Sequence, residues 1–282
     1  MKCEIGFHTN SRVADTLEQT LDLIAEAGFK HVMLSEKTGN LKSGLEYAKK
    51  LGLSVPYVHL AYRPPWAPSV NNIWKLCPER HETIGYYVDR IKLCHEYGVP
   101  VVVMHSTTGL SRLIDACPDT AVDSVRKVLD ATEDCDVKIA FENCIYEEYL
   151  KTILDNIKDE RVGFCYDCGH HYLHLPNVDF MGHYGDRCYA VHIHDNDMEY
   201  ETGLDAGDLH LLPFDGKIDF HVVARDIANS SYDGAIMLEA KHHRADAGIF
   251  CYDAMSPTEF LKESYKRGEK LAQMLKEARG EE

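Results

Sequence analysis

The hydrophobic positions of this chain fall into two alternating kinds of segment. Short apolar runs recur at Lys2–Gly6, His31–Leu34, Val55–His59, Val101–His105, Lys138–Glu142, Val162–Asp167, Cys188–His192 and Ala235–Glu239. Runs this short, with little polar alternation, predict strands buried on both faces. Between them, apolar residues recur three or four apart, as at Leu17, Leu21 and Ile24 within Val13–Ala27 and at Ile84, Val88 and Ile91 within Pro78–Tyr97. That spacing predicts helices with one buried face. Gly28, Gly52 and Gly98 stand where such helices stop. Further helices are predicted at Gly44–Leu51, Pro118–Cys135, Glu147–Ile157, near Val178–Tyr184, and at Phe220–Ile227 and Pro257–Ala278. The stretch after His171 and the long segment Asp195–Gly216 read as irregular.

Eight strands alternating with helices imply parallel pairing through crossover connections. No repeat, low-complexity stretch or linker interrupts the pattern, so residues 1–282 read as one α/β domain, a closed (β/α)8 TIM barrel. The alternative is a doubly wound open sheet, which usually carries a Gly-rich phosphate loop after its first strand. Here that position reads GFHTNSR.

The ends of these runs carry the candidate chemistry. His59, His105, Glu142, Asp167, His192 and Glu239 each close one of them. In a (β/α)8 barrel such ends converge on one axial cavity. Mixed carboxylates and imidazoles suit a divalent metal such as Zn, Mn or Co. His170, three residues past Asp167, and the pair Asp208 and His210 offer further ligands, and His194 shares the side of His192. Each residue also has an ordinary role open to it: Asp167 as a helix N-cap, Glu142 as the partner of a lysine, His105 as a hydrogen-bonded core histidine. Six separate strands ending this way favour the shared metal site. His8, His171, His174, His242 and His243 fit the pattern less well. The proline-rich loop AYRPPWAPS brings Tyr62, Arg63 and Trp66, and Lys241 follows the last run.

Composition changes the picture in two ways. The formal net charge is −16, from 30 basic and 46 acidic residues. A field of that sign repels polyanions and disfavours a nucleic-acid partner. No run approaches the roughly 20 apolar residues of a membrane span, and the N-terminus lacks an apolar stretch, so a cytoplasmic protein is expected. The ten cysteines, including Cys3, Cys94 and Cys165, then read as reduced thiols of the interior. Cys165 and Cys168 form C-x-x-C, but residues three apart on a strand face opposite ways, which speaks against a redox or zinc pair.

Several motifs resemble the xylose isomerase-like TIM barrel superfamily, which includes sugar phosphate isomerases and epimerases and endonuclease IV. They are FEN at Phe141–Asn143, DCGH at Asp167–His170, HIHD at His192–Asp195, DLHLLPFDGKIDF at Asp208–Phe220, and LEA at Leu238–Ala240. The resemblance spans nearly the whole chain. It implies that Glu142, Asp167, His192 and Glu239 ligate one divalent metal (Mn, Zn, Co or Mg), and that Glu142 and Glu239 are an acid–base pair acting through an enediolate. It matches His59, His105, His170, Asp208 and His210 to the additional ligands of the three-zinc endonuclease IV. The expected function is therefore a metal-dependent isomerase or epimerase of a sugar or sugar phosphate, holding one ion rather than three. His170, His194, Arg63, Trp66 and Lys241 would contact the substrate. The alternative is an endonuclease IV-like phosphodiesterase acting on abasic DNA, and a lyase reaction and a homo-oligomer stay open. Two departures stand out: Pro213-Phe214 replaces the family's Pro-Gly, and DNDM at Asp195–Met198 lacks the arginine of ketose 3-epimerases.

Overall fold

The computed structural model describes residues 4–197, 208–243 and 252–281. Eight parallel strands follow one another around a ring: β1 (Ile5–His8), β2 (His31–Ser35), β3 (Tyr57–His59), β4 (Val101–His105), β5 (Lys138–Glu142), β6 (Val162–Asp167), β7 (Cys188–His192) and β8 (Ile236–Leu238). From β1 to β7 each pairs with its sequence neighbour, and β8 pairs with β1. Between β7 and β8 the ring is joined by one bridge, Ile193 to Leu238, where Ile193 N–H donates to Met237 and Glu239 N–H donates to Ile193. This is the single-domain (β/α)8 barrel that the alternating pattern predicts.

The helices are α1 (Leu17–Glu26), α2 (Leu41–Lys50), α3 (Glu79–Glu96), α4 (Pro118–Asp130), α5 (Glu147–Asn156), α6 (Cys168–His174), α7 (Phe180–Tyr184), α8 (Phe220–Ala228) and α9 (Pro257–Arg279). None among the described residues is long and apolar enough to cross a membrane. Side chains alternate along each strand, and this two-residue period separates two cores. The outer core packs Phe7, Val32, Val58, Val102, Phe141, Tyr166 and Leu238 against the helices. The inner core fills the barrel with Met33, Tyr57, Val101, Val103, Ala140, Cys165, Ala190 and Met237. Two residues further along the same strands, on the same inward face, come Ser35, His59, His105, Glu142, Asp167, His192 and Glu239. The candidate ligands are therefore the layer that lies directly on the apolar floor.

Some boundaries differ from expectation. The first strand begins at Ile5 and runs to His8, so His8 lies inside the ladder rather than after it. The last strand ends at Leu238, and Glu239 lies one residue past it, held by the bond to Ile193. The stretch after Asp167 is helix α6, capped by the Asp167 side chain, which accepts from His170 N–H. A 3-10 turn at Val70–Trp74 has too few residues to show a period. Cys165 faces the inner core and Cys168 the outer one; both are free. Cys3, Met198 and the acidic residues Glu199, Glu201 and Asp205 of the long segment lie outside the described residues.

Candidate metal centre

Parallel registry sets the ligand layer. His105 pairs with Glu142 across β4 and β5, and Asp167 with His192 across β6 and β7. The strand ends are tied by Asn143, whose amide donates to the Asp167 carbonyl and accepts from the Asp167 N–H, both at 2.8 Å. Gly169 leaves room for the His194 ring; a Cβ there would meet that ring at 2.0 Å.

Around His192 the three central carboxylates converge. Its Nδ1 lies 3.1 Å from Glu239 Oε2, 3.5 Å from Glu142 Oε1 and 3.6 Å from Asp167 Oδ2. Glu142 also meets His59 Nε2 at 3.2 Å, His105 Nε2 at 3.3 Å and His170 Nδ1 at 3.0 Å. Asp167 meets His194 Nε2 at 3.1 Å. Asp208 meets His210 Nε2 at 2.9 Å and His170 Nε2 at 3.7 Å. Four sets of three ligand atoms each fall within 4.8 Å of one another: His59–Glu142–His192, Asp167–His192–Glu239, Glu142–Asp167–His170 and His194–Asp208–His210.

The donor chemistry fits a cation. Nδ1 of His170, His192 and His194 is buried without a hydrogen-bond partner, although carboxylate oxygens stand within 4.0 Å. Lone pairs aimed at a shared space, rather than at one another, are the mark of a ligand set. In His59 and His210 the Nδ1 atoms lie 3.0 and 2.8 Å from the backbone carbonyls of Leu60 and Glu239. An N–H on Nδ1 leaves Nε2 with its lone pair toward the site, the tautomer a metal-binding imidazole needs. Four carboxylates enclosed together also require compensating positive charge.

Electrostatics agree. Burial would raise the carboxyl groups of Glu142, Asp167, Asp208 and Glu239, yet the surrounding histidines hold all four below the usual carboxylate range. Burial opposes charge on His192, but Cys165, Glu239 and Glu142 outweigh it and push it up. His170 is raised by Asp167, Asp208 and Glu142 against the same burial. His8 and His210 go the other way: burial lowers them to about 3 and about 4.

The structure thus brings together Glu142, Asp167, His192, Glu239, His59, His105, His170, Asp208, His210 and His194. It does not bring Arg63, Trp66 and Lys241 into that cluster; they line the cavity of about 1240 Å³ that opens above it. Trp66 stands at its mouth, about half exposed. Tyr62 stacks on His105 with ring centroids 3.7 Å apart. Sequence reasoning missed Lys37, which lies in the turn two residues past the end of β2 and lines the cavity. It also missed Asn196, whose side chain accepts from Leu209 and His210 N–H and donates to Asp208.

The family described as xylose isomerase-like TIM barrel matches residues 21–269. An uncharacterized protein, y4fM of Sinorhizobium fredii, is 28% identical over 271 residues, covering 81% of this chain and 82% of its own. An inosose dehydratase of Clostridium beijerinckii is 24% identical, covering 93% and 95%. Among solved structures, an L-ribulose 3-epimerase superposes with TM-score 0.73 at 14% identity, covering 99% of this chain and 96% of its own. An IOLI protein with a binding zinc atom superposes with TM-score 0.72 at 16% identity, covering 98% and 99%.

Proposed function

Because the chain belongs to the xylose isomerase-like TIM barrel family, we propose that it is a divalent-metal-dependent isomerase or epimerase of a sugar or sugar phosphate. Glu142, Asp167, His192 and Glu239 would hold one ion. When bound, the ion would supply Lewis-acid polarisation of a substrate carbonyl. The observation that carries this reading is the placement of two carboxylates around one imidazole. Glu142 Oε1 and Glu239 Oε2 lie 3.5 and 3.1 Å from His192 Nδ1, reach it from β5 and from the end of β8, and both line the open cavity.

Glu142 and Glu239 are the proton-transfer pair: one carboxylate oxygen takes the proton from the carbon beside the carbonyl, and the other group returns a proton to the substrate. A relative that is an inosose dehydratase and a structural neighbour that is an L-ribulose 3-epimerase support polyhydroxylated carbonyl substrates, and proton removal beside a carbonyl serves either reaction type. His170 hydrogen-bonds a substrate hydroxyl and Trp66 covers the mouth, both lining the cavity; His194, expected to contact the substrate, is fully buried and does not line it. The chemistry is tested by incubating purified protein, with its metal content measured, with a panel of ketoses and ketose phosphates in D2O. The expected result is about one equivalent of metal per chain and deuterium beside a carbonyl. No exchange with any of them at full metal occupancy would reject the reading.

A multi-metal phosphodiesterase is the second reading. The observation favouring it is the separate His194–Asp208–His210 set, a place for a further ion beyond the first four ligands.

A further inference from the structure

The cavity above the barrel mixes charge. Carboxylates and imidazoles come to it from both sides, Glu142 and His105 from β5 and β4, Glu239 and His59 from the ends of β8 and β3. The strand ends from β8 round to β3 bring Lys37, Arg63 and Lys241 to its wall. This concentration occurs in a chain of net charge −16. Lys37 is only partly exposed; its ammonium donates to the Tyr62 hydroxyl and lies 3.7 Å from the centre of that ring, and among the described residues no carboxylate pairs with it. Burial, with Lys241 and Arg63 nearby, lowers it to about 7.

The position is built rather than incidental. Ser35 N–H donates to Thr9 Oγ1 at 2.9 Å, Thr38 Oγ1 donates to the Ser35 carbonyl at 2.6 Å, and the two threonine hydroxyls meet at 3.0 Å. Glu36, the residue before Lys37, is pinned by Ala61 N–H at 3.0 Å, by the Tyr86 hydroxyl and by Arg90. With Glu36 fixed outward against α3, Lys37 is directed into the cavity. An ammonium withdrawn from water, with Glu239 and Glu142 acting on it only at a distance, is costly and gains most when an anion arrives with the ligand.

We infer that the substrate carries an oxyanion, a phosphate ester or a carboxylate, seated against Lys37 with Arg63 and Lys241 contributing. This rests on the proposed sugar-carbonyl chemistry and narrows it to anionic substrates. Tyr62 stands between Lys37 and the carboxylates: its hydroxyl accepts from Lys37, and its ring stacks on His105, which meets Glu142. An anion on the lysine side therefore leaves the rest of a short carbon chain facing Glu142 and Glu239.

The test is calorimetric binding to the metal-loaded protein, using fructose against fructose 6-phosphate, ribulose against ribulose 5-phosphate, and fructose against 2-ketogluconate. At least one charged member should bind roughly ten-fold or more tightly than its neutral counterpart, and which one identifies the anion. Lys37→Met should bring that preference below about three-fold while metal content and melting temperature stay unchanged. Arg63→Ala, on an exposed loop, should reduce it in part and serves if Lys37→Met does not fold. Equal affinity for neutral and charged members, or an anion preference that survives in both variants, overturns the inference. Deuterium exchange with neutral ketoses alone would leave the sugar chemistry standing and remove the anion seat. Lys37-dependent anion binding without exchange would do the reverse.

Discussion

Glu239 illustrates how one side chain serves two roles. Its backbone N–H helps close the ring, and its carboxylate stands 3.1 Å from His192 and 3.8 Å from His8. Gln in its place keeps an oxygen for a cation but gives up the base. Glu239→Gln should therefore retain most of its metal by elemental analysis and lose proton exchange by about 100-fold or more. Exchange that persisted in this variant would remove Glu239 from the proton-transfer pair. Asp167 differs, since its side chain also caps α6 through His170 N–H. Asp167→Ala should lose metal and about 1 kcal/mol of stability together, read by elemental analysis and urea titration.

At the scale of elements, the segment 208–219 is organised by one carboxylate. Asp195 accepts from the backbone N–H groups of Asn196, Phe214, Gly216 and Ile218 at 2.8–3.0 Å. Asn196 beside it holds Asp208 and His210. Asp195→Ala should cost about 3 kcal/mol or more by urea titration, because it orphans several buried donors at once. Metal retention should fall with it, although Asp195 touches no ligand set. Phe214 sits at φ +76°, the left-handed region that glycine adopts without strain, where the resemblance led to an expected glycine. Its ring packs on Phe220 and lies 3.8 Å from Lys270 Nζ. The strands and most helices were legible because their periods are long enough to read. The gathering of ligands was legible because strand ends in a barrel must converge. Helix α6 was not, since seven residues show hardly two turns and its N-cap doubles as a candidate ligand. Lys37 was not, because a lone lysine after a strand resembles any solvated charge until the fixing of Glu36 is seen.

For the whole molecule, charge separates the two functional readings. A net charge of −16 repels duplex DNA at long range, and a cationic wall inside a cavity does not cancel that field. The expected outcome is no nicking of abasic duplex DNA at physiological salt with added zinc. Efficient nicking, lost on His105→Ala or His210→Ala, would make the phosphodiesterase the correct reading. The closure between β7 and β8 has a mechanical meaning as well. The barrel is a split ring, joined at its gap by one bridge, and His192 and Glu239 stand on the two lips of that gap. A cation shared by them would act as a rivet through the joint. Escape of the ion and springing of the ring would then be one event, and tighter binding would translate into slower parting at this seam rather than into a uniformly stiffer molecule.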